Sequence, residues 1–181
     1  MKTILIILSL LLPVNSNINK KKAKSLQQFA PAKIDTSYQY AVSIIKKYEK
    51  YSNKEYNLFG DRYIGYGHLI KKGDTMTSLT EMQADSLLRV DLNYSLKMVK
   101  SCTNRIPVKR KMLLACFVFN CGIGRLKSSD LLKMINRNEN DSIIENQYLK
   151  YVYANDVFYK GLVNRRMDEI NILYHANKTR K

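Results

Sequence analysis

KYEKYSNKEYNLFGDRYIGYGH, residues 47–68, decides how this chain is read. Its Glu49 closes an apolar run in which Ala41, Ile44, Ile45 and Tyr48 fall at i, i+3, i+4 and i+7, one face of an α-helix. From residue 51 that period stops. Gly60, Gly65 and Gly67, with aromatic residues between them, predict a small β-hairpin within residues 51–70, and Gly73-Asp74 a turn. A carboxyl at a helix end, facing a hairpin, is either a catalytic acid or a solvated helix terminus.

Downstream the pattern is helical. Thr80-Glu81-Met82-Gln83 has the form of a capping box, and Ala84, Leu87, Leu88 and Leu92 continue its apolar stripe. Asp91 lies close to that stripe, where an unpaired charge is costly. Pro107 suits the first turn of the next helix, whose residues Met112 to Phe119 are apolar on every side, as in a helix buried mid-domain. Gly122 and Gly124 are expected to stop it. Ser129 caps a short helix through Ile135, another runs from about Asp141 to Ala154, and Gly161 precedes a last one with apolar contacts from Leu162, Met167, Ile170 and Leu173.

The 181 residues suit one domain, and 45% hydrophobic residues exclude a disordered chain. A formal charge of +16 implies a polyanionic partner. Residues 1–16 read as a secretory signal: Lys2, an apolar run from Ile4 to Val14 too short to span a bilayer comfortably, then Val14-Asn15-Ser16 as a cleavage pattern. An N-terminal membrane anchor is the competing reading. Residues 17–36 form a Lys-rich flexible leader, 37–177 the folded domain and 178–181 a basic tail. Export weakens nucleic acid as the partner and favours an anionic wall polymer. Three cysteines, Cys102, Cys116 and Cys121, do not make a disulfide framework, and two histidines without Cys-x-x-Cys make a zinc site unexpected. No metal and no cofactor is expected.

Beside Ile45 and Tyr48, the Glu49 carboxyl is expected to be partly desolvated, and desolvation raises a carboxyl pKa. A Glu that stays protonated near neutral pH can give its proton to a glycosidic oxygen. Glycoside hydrolysis usually needs a second carboxylate, and Asp61 is the nearby candidate.

The order of segments narrows the choice. Glu49, the Gly60 turn, Ile64-Gly65-Tyr66-Gly67-His68, the Thr80–Leu92 helix start, Phe117-Val118-Phe119-Asn120-Cys121-Gly122 and Gly161-Leu162-Val163-Asn164-Arg165-Arg166-x-x-Glu169 follow one another. Together they resemble the phage-type lysozymes, glycoside hydrolase family 24, over about residues 40–175. The resemblance implies a mainly α (α+β) lysozyme-like fold: a helical lobe, a small lobe carrying a β-hairpin, and a cleft between them. It implies a muramidase acting on peptidoglycan with inversion, Glu49 being the proton donor.

Three positions depart from the family pattern. Lys50 stands where the family usually has Gly, Asn57 where it has Asp in a segment one residue short, and Tyr63 where it has Thr. Asn cannot act as a general base, so Asp61 or Tyr63 is left to position water. The resemblance also pairs His68 with Asp91, tying the hairpin to the long helix. Tyr56 and Tyr66 are candidates for stacking on sugar, as are Tyr51 and Phe59. Asn120 either touches substrate or braces the turn after the apolar helix. Arg165 and Arg166 either meet acidic peptide stems of the wall or pair with Glu169. A monomer is expected, exported to the periplasm or secreted, with no membrane anchor once the signal is removed.

Two rivals stand beside this reading. One is a wall-binding lysozyme relative that has lost catalysis, as Asn57 and Tyr63 suggest. The other is a nucleic-acid binder, because Gly122-Ile123-Gly124 followed by Ser128 and Ser129 loosely imitates a helix-hairpin-helix loop.

Overall fold

The structure is a computed structural model, and it describes residues 36–58, 60–154 and 156–171. The signal, all of the leader but its last residue, and the basic tail lie outside the described residues, as does Leu173. Helix α1, Thr36–Glu49, buries Ala41, Val42, Ile44 and Ile45, so its apolar period becomes its inner face. Strands β1 (Ser52–Leu58), β2 (Asp61–Gly65) and β3 (His68–Leu69) form one antiparallel sheet in that order. Tyr56 pairs with Tyr63, Asn57 with Arg62 and Leu58 with Asp61. Side chains alternate across a strand, so Tyr56, Leu58, Asp61 and Tyr63 share one face and Asn57 and Arg62 the other.

Helix α2, Glu81–Cys102, opens with the expected capping box. Thr80 accepts from the Gln83 amide and Gln83 Oε1 accepts from the Thr80 amide at 2.8 Å. Pro107 directly precedes α3, Val108–Lys127, whose residues Met112 to Val118 are all buried. α4 (Asp130–Asn136, capped by Ser129) and α5 (Asp141–Tyr148, capped by Asn140) complete the larger core, where Leu113, Phe117, Leu131, Ile144 and Tyr148 pack together. A second core joins α1 and α2 to the start of α3 and includes Tyr66. Among the described residues no helix is long and apolar enough to cross a membrane, and all three cysteines are free.

Some expectations hold in part and others are corrected. Gly122, at φ 79°, ends the first helical stretch of α3 as expected, but a second stretch begins at once and Gly124 lies inside it. No loop of the helix-hairpin-helix kind is therefore formed there. Helix α5 ends at Tyr148, not near Ala154, because the chain turns back as a second hairpin, β4 (Tyr153–Ala154) and β5 (Val157–Phe158), with Asp156 left-handed at its turn. The last helix, α6, runs Lys160–Glu169 and includes Gly161. Its buried residues are Arg165, Arg166 and Glu169, while Met167 is 50% exposed. This helix docks through buried charges as well as through Ile170, which follows it into the larger core as expected.

Candidate active site

Glu49 is the last residue of α1, and Lys50 then turns the chain toward β1 at φ 58°, a conformation that normally favours glycine. The path expected of a Gly at this position is thus kept by a Lys. The Glu49 side chain is 22% exposed, and it does not stand among apolar groups alone. Arg165 Nη1 donates to its Oε1 at 2.7 Å. On the other side Gly67, at φ 79°, lets the backbone come close: a Cβ there would lie 3.1 Å from Glu49 Oε2. One carboxylate oxygen is held by a guanidinium, and the other lies under the β2–β3 turn.

Arg165 is itself buried, and its Nε donates to Glu169 Oε1 at 3.1 Å. Glu169, fully buried, accepts on Oε2 from Arg166 Nη1 at 2.5 Å and from the Tyr148 hydroxyl at 2.6 Å. Arg166 also donates to the Asn120 side chain. Two carboxylates and two guanidinium groups alternate along this chain, so each buried charge faces an opposite one. Burial alone would pull the Arg165 pKa down, but Glu169 and Glu49 outweigh it and raise it. Burial pushes the Tyr148 phenol well up. Arg165 Nη2 is buried with no hydrogen-bond partner among the described residues. An orphaned donor costs about 1–3 kcal/mol, offset here by the two charge-assisted bonds of the same group.

Tyr48 flanks the pair, its ring 5.8 Å from the Arg165 guanidinium. Its hydroxyl donates to Asp168, which Lys47 also meets at 2.5 Å. Tyr48, Arg165 and Gly161 line a groove of about 450 Å3, closed on the small lobe by Leu58 and on the helical lobe by Ala154, Tyr159 and Leu162.

The candidate residues separate by the sheet's register. Leu58 lines the groove, so its face of the sheet, with Asp61, Tyr56 and Tyr63, looks toward the helical lobe. Tyr56 and Tyr63 stack at 5.8 Å, and burial, then the charge of Glu49, push the Tyr56 phenol up. Asn57 lies on the opposite face with Arg62. Tyr66 is withdrawn from the sugar-stacking candidates: it is 5% exposed in the second core and its hydroxyl donates to Glu81 at 2.7 Å. His68 Nδ1 lies 2.8 Å from Asp91 Oδ2, with both side chains partly exposed. Asn120 accepts from Arg166 and borders a second, smaller depression. Arg165 and Arg166 turn inward to Glu169 and do not reach solvent as stem-binding groups would. The sequence showed the Arg-Arg-x-x-Glu spacing, but nothing local linked it to Glu49. Tyr48 was visible only as part of an apolar face.

A helical lobe, a hairpin lobe and a carboxyl held between them define a lysozyme-like fold. The chain belongs to the phage lysozyme family, which it matches over residues 46–169. It is 32% identical over 136 residues to an endolysin of Bacillus phage B103, covering 72% of this chain and 51% of that protein. It therefore spans about half the length of the Bacillus phage endolysins it matches. Among solved structures it resembles the muramidase domain of SpmX from Asticaccaulis excentricus, with TM-score 0.64 and 26% identity over 74% of this chain and 93% of that one. It shares its fold with an endolysin from Escherichia coli O157:H7 phage FAHEc1, with TM-score 0.66 and 21% identity over 80% and 96% of the two chains.

Proposed function

We propose that the protein is a muramidase of glycoside hydrolase family 24, cleaving the β-1,4 bond between N-acetylmuramic acid and N-acetylglucosamine in peptidoglycan. The observation that carries this is the placement of Glu49, with Oε1 fixed by Arg165 and Oε2 beneath Gly67 beside the interlobe groove. Oε2 donates its proton to the glycosidic oxygen as the C1–O bond breaks. Water attacks C1 from the opposite face of the sugar and passes a proton to a second group. Asp61 is our choice for that group, with Tyr63 orienting the water, because both share the sheet face of Leu58 while Asn57 does not. Tyr56 flanks the sugar. The basic charge of the chain favours adsorption to an anionic wall outside the membrane, an attraction that weakens with salt.

The test is hydrolysis of purified peptidoglycan with the new reducing ends identified. Muramic acid ends should appear with the parent and disappear with Glu49→Gln. Asp61→Asn should lose activity while Asn57→Ala keeps it; the reverse result sinks the assignment of Asp61. A folded parent that binds the wall yet makes no reducing ends turns the function into wall binding alone.

A further inference from the structure

The last turn of α1 meets α6 through three consecutive side chains. Lys47 Nζ lies 2.5 Å from Asp168 Oδ2, the Tyr48 hydroxyl donates to the same oxygen, and Glu49 Oε1 accepts from Arg165 Nη1 at 2.7 Å. Asp168 stands three residues beyond Arg165, one turn further along α6. We propose that Asp168 is a positioning residue for the reaction: through Lys47 and Tyr48 it fixes the last turn of α1 against α6, and with it the direction of the Glu49 carboxyl. The inference rests on the muramidase reading above.

Glu49 needs such a hold. As the last residue of α1 it stands at the negative end of the helix dipole, which repels a carboxylate and favours Lys46 and Lys47 of the same turn. Lys50 then leaves the helix in a left-handed conformation, so no further helical turn braces the side chain. Orientation has to come from α6. A single ion pair tolerates a slide, because a long Arg side chain can follow its partner. Two pairs of opposite polarity do not. Lys47 faces an anion and Glu49 a cation. A slip of α6 by one turn in one direction sets Arg165 against Lys47; in the other it sets Asp168 against Glu49. Both are like-charge contacts, so only the observed register satisfies both pairs.

Tyr48 carries the hold to the site. Its ring packs against the second core and also borders an open depression of about 380 Å3, shared with Lys47, Asn164 and Asp168. The same ring lines the interlobe groove and lies 5.8 Å from the Arg165 guanidinium, a cation–π distance. Burial, then the bond to Asp168, push the phenol up, so the hydroxyl stays a donor. The Lys47–Asp168 pair is a surface one, its side chains 63% and 29% exposed, and such pairs add little stability. Removing it leaves a folded enzyme in which positioning can be read.

The experiment measures kcat and KM on soluble peptidoglycan fragments, with urea denaturation of each variant. Asp168→Ala should lower kcat by about tenfold, less than the hundredfold of a full ångström's displacement, and leave KM nearly unchanged. Tyr48→Phe removes one hydroxyl and should lower kcat in the same direction by less; it carries the test if Asp168→Ala does not fold. Lys47→Asp combined with Asp168→Lys restores an ion pair and should recover part of the kcat lost in Asp168→Lys alone, a rescue that lost packing would not give. In an Arg165→Lys background Asp168→Ala should add little, because the orientation it protects is already gone. Asp130→Ala breaks the exposed pair with Lys133 on α4 and should leave kcat at the parental value. The proposal is overturned if Asp168→Ala and Tyr48→Phe keep the parental kcat, if Asp130→Ala loses as much, if the charge swap recovers nothing, or if the Arg165→Lys and Asp168→Ala losses multiply in full. A folded parent that makes no muramic acid ends overturns the muramidase reading and this inference with it, whereas an active parent with an unaffected Asp168→Ala overturns this inference alone.

Discussion

Arg165 reaches back 116 positions to donate to Glu49 at 2.7 Å, and the same guanidinium holds Glu169 at 3.1 Å. The acid of helix α1 is therefore oriented by helix α6. Because both bonds leave one planar fork, they lock each other's direction. Arg165→Lys keeps the charge but offers a single point donor. Activity on peptidoglycan should fall by about a hundredfold, the usual result of displacing a reacting group by an ångström. Stability should fall by about 1–3 kcal/mol. Kinetics and urea denaturation read the two effects; unchanged kcat would show that Glu49 orients itself.

Gly67 and Gly60 separate close approach from backbone strain. Both are left-handed, at φ 79° and 90°, but only at Gly67 would a Cβ press on Glu49, whereas Gly60 has nothing within 4 Å. Each alanine substitution should cost about 1–2 kcal/mol of stability through its backbone alone. Activity should collapse in Gly67→Ala and survive in Gly60→Ala. Equal activities would mean that the Glu49 carboxylate tolerates displacement.

Lys50 carries strain at the helix exit. Its φ of 58° suits glycine, and no sequence feature other than the family pattern asks for glycine there. Lys50→Gly should raise stability by a net of about 0.5–1 kcal/mol, the left-handed strain relieved less the added chain entropy. The urea midpoint measures it, and a lower midpoint would show that Lys50 makes a stabilising contact.

Acid should remove part of the α1–α6 attachment. Lys47, and then Tyr48, hold the Asp168 pKa below its ordinary 3.8. A depressed folded pKa gives stability that is complete above the unfolded value and lost as pH falls through the folded one. Asp168→Asn should thus be less stable than the parent at pH 7, and the difference should shrink as pH drops below about 4. A difference that stays constant on acidification would assign it to packing.

The expected cost of breaking the His68–Asp91 pair also changes. A buried pair loses ~3–5 kcal/mol when one partner is removed. With 18% and 28% of the two side chains exposed, water compensates part of that loss, and the cost should fall below that range.

Much of this protein was legible in order along the chain. The α1 face, the capping box at Thr80, the all-apolar α3 and the Ser129 cap are local patterns, written in period and in nearby polar atoms. So were Glu49 at a helix end and the glycines of the Ile-Gly-Tyr-Gly-His stretch, though not the neighbour each glycine makes room for. The second hairpin was missed because its strands are two residues each, too short to show alternation. Tyr66 was misplaced because an aromatic between two glycines looks the same whether it faces sugar or core.

Sequence by itself determined the main helices, the first hairpin, their order and the family, since these follow from local propensity and from motifs kept in register. Tertiary structure alone decided which charges meet. Arg165 could have faced solvent, the wall or Glu169, and nothing near it in sequence favours Glu49. Folding brings α6 against the end of α1, and the cost of burying an unpaired charge makes the two side chains find each other.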